Sequence, residues 1–141
     1  MAGHRFGPDD EEARRILTTH FWVDHLPTSP QETFHLFAPF RFRGHQLGIV
    51  QRRTAWEGCW EIFEWRFKEG DERFHVRFPQ TGEMLALEWK VEPARERGFD
   101  YRLTLRGFKG YPSQWYTRKR WRTGSLEELE ERIRAFVPSQ R

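Results

Sequence analysis

A chain of 141 residues falls within the size range of a single domain and is long enough to bury a substantial core. Its 13 Phe and 7 Trp compensate for a hydrophobic fraction of only 37%, because each aromatic ring buries a large area. The single cysteine, Cys59, excludes an intrachain disulfide and CxxC-type zinc or redox sites. The net charge of +3 is small, but residues 41–53 and 101–123 contain no acidic residue, so the charge is polarised.

The distribution of apolar residues predicts a protein without a membrane span. No apolar run approaches the roughly 18 residues that a spanning helix needs, and the beginning of the sequence lacks the apolar region of a signal peptide. We therefore expect a cytoplasmic protein. Residues 1–15 are polar and predict either a loose arm or a short helix with acids in its first turn, and residues 16–141 predict one domain.

Two elements are predicted in the N-terminal third. Residues 17–25 are rich in strand formers and predict a strand, although apolar residues from Ala13 to Phe21 also fit one face of a helix. Ser29 and Glu32 have the spacing of a capping box, and Pro30 suits the first helical position. This pattern predicts a short helix that ends before Pro39.

The remainder predicts an antiparallel sheet followed by a helix. From about Gln46 the apolar residues alternate, and six strands are predicted near 46–54, 58–68, 73–78, 84–92, 99–107 and 115–122. The second changes phase near Ile62 and Phe63, which indicates a bulge or a strand covered on both faces. A second capping box at Ser125 opens an amphipathic helix with Leu126, Leu129, Ile133, Phe136 and Val137 on one face, and with Glu128–Arg132 and Glu130–Arg134 at ion-pair spacing.

Three segments carry a resemblance to a known superfamily: the join from Phe21 to Phe34, the strand end from Leu87 to Pro93, and the closing segment from Trp121 to Phe136. In element order the chain resembles the START-like, or helix-grip, superfamily of polyketide cyclases and Hsp90-activator-related proteins. The resemblance implies an α+β fold, in which a curved antiparallel sheet of six to seven strands packs on a C-terminal amphipathic helix and leaves a cavity. Only one helix is predicted before the strands, where that superfamily usually has two, so a lipocalin-like β-barrel with an appended helix is the alternative.

A cavity between the sheet and the last helix would be lined by aromatic rings and a few carboxylates. The residues predicted to bind a ligand there are Trp60, Glu61, Phe63, Glu64, Trp65, Glu88, Trp89, Tyr101 and Trp115. A desolvated carboxylate among the three glutamates would suit general-base chemistry, as in a cyclase or dehydratase, but solvent-facing glutamates paired with Arg66 or Lys90 are the simpler interpretation. The six histidines are scattered, the serines lack a hydrolase context, and Cys59 is expected in the core, so no catalytic residue, metal or cofactor is predicted.

The segment 108–122 mixes cations with aromatic rings, which is the composition of single-stranded nucleic-acid binding surfaces. Arg118, Lys119, Arg120 and Arg122 form its predicted interaction patch. The simpler interpretation is an edge strand protected by its charges, with Trp115 and Trp121 turned inward.

The sequence thus predicts, in this order, three binding functions. The first is a non-catalytic domain that binds a small hydrophobic or aromatic molecule. The second is a protein-interaction module, chaperone-activator-like or immunity-type, that docks an acidic protein through the patch. The third is a nucleic-acid binder that uses the same segment together with Arg41, Arg43, Arg52 and Arg53.

Overall fold

The computed structural model describes residues 9–122 and 126–136. In these residues, two helices and eight strands follow one another, and the strands are consecutive neighbours in a closed antiparallel barrel in which β1 pairs with β8. The elements are α1 (Asp10–Thr19), β1 (Trp22–Val23), β2 (Phe34–Phe42), β3 (His45–Arg53), β4 (Gly58–Phe67), β5 (Phe74–Arg77), β6 (Met84–Pro93), β7 (Tyr101–Arg106), β8 (Gln114–Thr117) and α2 (Leu126–Phe136).

The helices occupy two different places on the barrel. Ala13, Ile16 and Leu17 of α1 join the cluster that fills the barrel interior, so this helix closes the end at which β2, β4 and β6 finish. Leu129 and Ile133 of α2 are buried instead against the outer side of β1, β2 and β3. The sheet therefore closes on itself and does not curve around α2, which agrees with the alternative prediction of a barrel and leaves the helix-grip arrangement unconfirmed.

Aromatic side chains fill the interior. Phe37 of β2 stacks on Phe63 of β4 at 5.4 Å between ring centroids and contacts Trp115 of β8 at 5.6 Å. Gly48 makes room for this packing, because a Cβ at that position would lie 2.3 Å from the Phe63 ring. An eight-stranded barrel is just wide enough for side chains to fill, and here they do so.

The strand predictions from 45 to 106 are confirmed to within two residues. The last predicted strand is shorter than expected and is not an edge, since β8 pairs with both β7 and β1. The phase change in β4 is neither a bulge nor a doubly covered strand: the ladder with β3 is continuous, and Trp60 and Ile62 are simply exposed on the outer face. Within the described residues, no helix is long and apolar enough to cross a membrane.

Two predictions in the N-terminal third are wrong. Residues 17–19 continue α1, which is capped by Asp9 and carries three acids in its first turn, so this helix crosses the predicted domain boundary at residue 16. The capping signal at Ser29 produces only one turn, closed by the Glu32 amide on the Ser29 carbonyl at 3.2 Å, and β2 follows it. The apolar run of β2 has no period of two because one face lies in the interior and the other lies under α2.

The C-terminal helix is confirmed over Leu126–Phe136, with Leu129 and Ile133 on its buried face. Ser125 and Val137, which belong to the predicted cap and apolar face, lie outside the described residues. Glu128 and Arg132 form the predicted ion pair at 3.3 Å. Glu130 reaches across to Arg53 of β3 rather than along the helix to Arg134.

His20 joins α1 to the barrel, and its burial predicts a fold that is less stable in acid. Its ring is 6% exposed, with Nδ1 at 3.1 Å from the Ile16 carbonyl and Nε2 at 3.2 Å from the Lys119 carbonyl. Burial is the largest cause that lowers the pKa of His20. The unfolded chain therefore binds a proton at a higher pH than the folded chain, so this residue reduces stability as the pH falls below about 6.5.

We expect the free energy of unfolding, measured with urea, to decrease less between pH 7.5 and pH 5.5 in His20→Gln than in the wild type. His45→Gln, at the exposed start of β3, is the matched control and should keep the wild-type dependence. Equal pH dependence in all three proteins would contradict the role assigned to His20.

Candidate functional site

Polar side chains gather at the end of the barrel opposite α1, which we call the barrel mouth. Barrel mouths are frequent ligand sites because they are concave and rigidly framed. The residues of the mouth are Asp24, His35, Arg52, Cys59, Glu61 and Tyr111. Their placement follows from register: His35 pairs with Arg52, Arg52 pairs with Cys59, and Glu61 pairs with Val50, which faces the interior beside Phe37.

Asp24 and His35 form an ordered pair at the mouth. One carboxylate oxygen of Asp24 accepts the His35 backbone N–H at 2.8 Å, and the other lies 3.0 Å from His35 Nδ1. Asp24 also lies 3.2 Å from the ring of His25, which in turn contacts Glu32 at 2.8 Å. The carboxylate favours a proton on Nδ1, so that in the neutral ring Nε2 is the acceptor.

Glu61 and Tyr111 form the second pair. The Tyr111 hydroxyl donates to Glu61 Oε1 at 2.9 Å, and the Tyr111 ring meets the His35 ring edge to face at 6.0 Å between centroids. Burial, followed by the Glu61 hydrogen bond, raises the pKa of Tyr111 well above its usual value. The hydroxyl is therefore a permanent donor, which holds the Glu61 carboxylate in one orientation.

Aromatic rings form the floor below these polar groups. Phe108 packs against Tyr111 with ring centroids 4.5 Å apart and against Phe37 at 6.1 Å. Trp115 lies beside His35 and donates its indole N–H to the Pro112 carbonyl at 2.9 Å. The mouth is thus a polar rim on an apolar base.

The predicted ligand-binding residues divide between the two faces of the sheet. Those that face the interior are Glu61, Phe63, Trp65, Trp89, Tyr101 and Trp115. Trp60, Glu64 and Glu88 face outward, so they do not share a surface with the other six. Phe63, Trp65 and Trp115 are buried among other rings, and only Glu61 stands at the mouth as a polar group.

Glu64 belongs to a separate groove of about 700 Å³ on the outer face of β4, β5 and β6. Its carboxylate pairs there with Arg77 of the neighbouring strand at 2.5 Å. Arg66 and Lys68 also line this groove, and the part of the chain that the structure describes offers neither of them an ion pair. Glu88 is solvent-exposed and opposite Arg106, so both glutamates face outward as the simpler interpretation holds, but the partner of Glu64 is Arg77 and not Arg66.

The basic aromatic segment does not form one surface. Tyr111 lies at the mouth, Trp115 is in the interior, and Trp121 is stacked on Phe21 at 4.6 Å in the cluster under α2, so both tryptophans are buried but on opposite sides of the sheet. Arg120 and Arg122 remain exposed at the other end of β8, together with Lys119, whose backbone N–H donates to Asp100 at 2.7 Å. Arg118 is half-buried over the Trp121 ring.

Cys59 was expected in the core, but it is exposed at the rim of the mouth. Strand β3 lies between it and His35, so their Cα atoms are about 10 Å apart and the two do not make a cysteine–histidine pair through register alone. Within the described residues, no group of three His, Cys, Asp or Glu side chains is placed to hold a metal ion.

Glu61 is the one member of the mouth that was among the predicted site residues. Tyr111 lies in a connection and His35 was assigned to a helix, so alternation offered no signal for these two. No protein-family model matches this chain, and neither do curated proteins or solved structures. The comparisons therefore do not identify the superfamily that the element order resembles.

Proposed function

We propose that this protein binds a small molecule at the barrel mouth. The observation that carries the proposal is the Glu61–Tyr111–His35–Asp24 cluster, a set of mutually oriented polar groups on the inward face of a barrel. Such an arrangement fixes the orientation of a ligand with little reorganisation. The aromatic rings that were expected to line a deep cavity pack on one another, so the proposed ligand lies above them and uses Phe108 and Tyr111 as an apolar floor.

Two polar groups of the mouth, the Arg52 guanidinium and the Glu61 carboxylate, suggest the chemistry of the ligand. Arg52 is an exposed cation beside His35, and its guanidinium has no ion pair among the described residues. Glu61 retains an oxygen that the Tyr111 hydroxyl does not use. A small aromatic or apolar molecule that carries one anionic group and one hydrogen-bond donor would satisfy Arg52 and Glu61 together.

The first test is native mass spectrometry of protein purified from its own host, followed by denaturation and extraction of any bound molecule. We expect a stoichiometric small molecule with an acidic group. Protein that carries no small molecule and instead retains a protein or nucleic acid would contradict the proposal.

The second test uses a pair of matched variants. Tyr111→Phe removes the hydroxyl that orients Glu61, and we expect the affinity for the extracted molecule to fall about tenfold, because a hydrogen bond to a charged group contributes about 1.5 kcal/mol or more. Tyr116→Phe is the control, since that hydroxyl donates to Gln114 on the outer face. Calorimetric titration of both variants measures the difference in affinity. Equal affinities would show that the molecule does not bind at the mouth.

A further inference from the structure

A second, smaller pocket lies where β8 meets α2, on the outside of the barrel. Its volume is about 290 Å³, and it is lined by Leu26, Arg118, Arg120, Trp121, Arg132 and Ala135. Three of the six lining residues are arginines and the other three are apolar. A pocket of this composition is suited to an anion that carries an organic group.

Arg118 is the most constrained of the three arginines. Its guanidinium lies over the Trp121 ring at 5.1 Å and over the Phe99 ring at 5.5 Å, so its position is fixed by two aromatic faces. Its Nε atom is buried and has no hydrogen-bond partner among the described residues. A buried donor without an acceptor is costly, so the hydrogen-bonding capacity of Arg118 is not fully used by the described residues.

The charges that face Arg118 leave the pocket cationic. Burial and then the charge of Arg120 lower the pKa of Arg118, and Asp100 opposes them with a smaller effect. One oxygen of Asp100 already accepts the Lys119 backbone N–H at 2.7 Å. Arg132 forms an ion pair at 3.3 Å with Glu128, one turn earlier in α2, and donates to the Arg120 backbone carbonyl. Glu128 is thus the carboxylate paired with an arginine of the pocket.

We propose that this pocket binds a phosphate monoester. The guanidinium groups of Arg118, Arg120 and Arg132 would contact the phosphate oxygens, because planar donor forks match phosphate geometry and a dianion compensates more than one cation. Leu26, Trp121 and Ala135 would contact the organic part of the ester. This site is separate from the barrel mouth, and its success or failure does not depend on the function proposed there.

The test is calorimetric titration of the full chain with phenyl phosphate at low ionic strength. Arg120→Gln removes an exposed guanidinium from the pocket wall, and we expect it to weaken binding about tenfold, since a charge-assisted contact is lost. Arg134→Gln removes the same charge from α2 at a residue that does not line the pocket, so affinity should remain within about twofold. Arg118→Lys keeps the charge but loses the fork, and it should also weaken binding.

Three results would overturn the proposal: no binding of phenyl phosphate, equal weakening by Arg120→Gln and Arg134→Gln, or equal affinity for phenylacetate. Equal weakening would mean that only the overall charge attracts the anion. A short phosphotyrosine peptide distinguishes the source of the ester. Tighter binding of the peptide than of phenyl phosphate would assign the pocket to a phosphorylated protein, and equal or weaker binding would assign it to a free ester.

Discussion

Replacing Phe37 with alanine is expected to lower the free energy of unfolding by about 4 kcal/mol, the largest loss that we predict for a single substitution. The side chain is fully buried at the centre of the barrel. Its ring stacks on Phe63 and meets Phe74, Phe108 and Trp115 at centroid distances between 5.4 and 6.2 Å. Alanine would remove all four ring contacts and leave a cavity among rigid side chains that cannot collapse into it.

Phe42→Ala is the matched control, because Phe42 lies at the end of the same strand and is 52% exposed. The guanidinium of Arg43 lies over its ring at 5.2 Å, so the expected loss is about 1 kcal/mol or less. Urea denaturation followed by far-ultraviolet circular dichroism measures both. Similar losses in the two variants would mean that the interior is not packed as described.

The second large effect is expected at the contact between α2 and the barrel. Arg53 of β3 is 4% exposed and donates to Glu130 at 2.6 and 3.3 Å, to Gln51 at 3.1 Å and to the carbonyls of Thr54 and Ala55 at 2.9 and 3.1 Å. Glu130→Ala would leave this guanidinium buried without its counter-charge. Because the Glu130 side chain is itself 40% exposed, water replaces part of the interaction, and we expect a loss of about 2 kcal/mol rather than the 3–5 of a fully buried pair.

Glu131→Ala controls for the general effect of removing an acid from α2, since Glu131 is solvent-exposed. Its free energy of unfolding should stay within about 0.5 kcal/mol of the wild type. The double variant Arg53→Met with Glu130→Leu adds a further check, because replacing both partners with apolar groups is expected to cost less than removing Glu130 alone. A Glu130→Ala protein as stable as Glu131→Ala would show that the pair does not hold the helix in place.

The sequence predicted the strands best where one face of the sheet meets water. In β6, Leu85, Leu87 and Val91 face the interior while Ala86 and Glu88 face outward, so the period of two is clear in the residues themselves. In β2 both faces are covered, and the run from Phe34 to Phe40 carries no such period. The capping signal at Ser29 therefore led to the prediction of a helix in this segment, although it supports only a single turn in the folded chain.

The candidate site was harder to predict because its residues come from strands and connections that are far apart in the sequence. Glu61 was found as a carboxylate in a strand, but Asp24, His35 and Tyr111 meet it only after the barrel closes. One error was avoidable from the sequence: Trp60 and Phe63 are three positions apart, so in an unbulged strand they cannot lie on the same face. Glu61 and Trp60 are adjacent in β4, so they also lie on opposite faces of the sheet.

The shortness of β1 has a consequence for how the chain reaches its final form. The barrel closes through two residues, and the single register pair with β8, Val23 with Tyr116, joins positions more than ninety residues apart. Every other seam is formed between consecutive strands, which neighbours in sequence can make early and cheaply. Closure therefore carries the largest single loop-entropy cost, and we expect folding to proceed from an open meander to a ring in which the seam between β1 and β8 forms last.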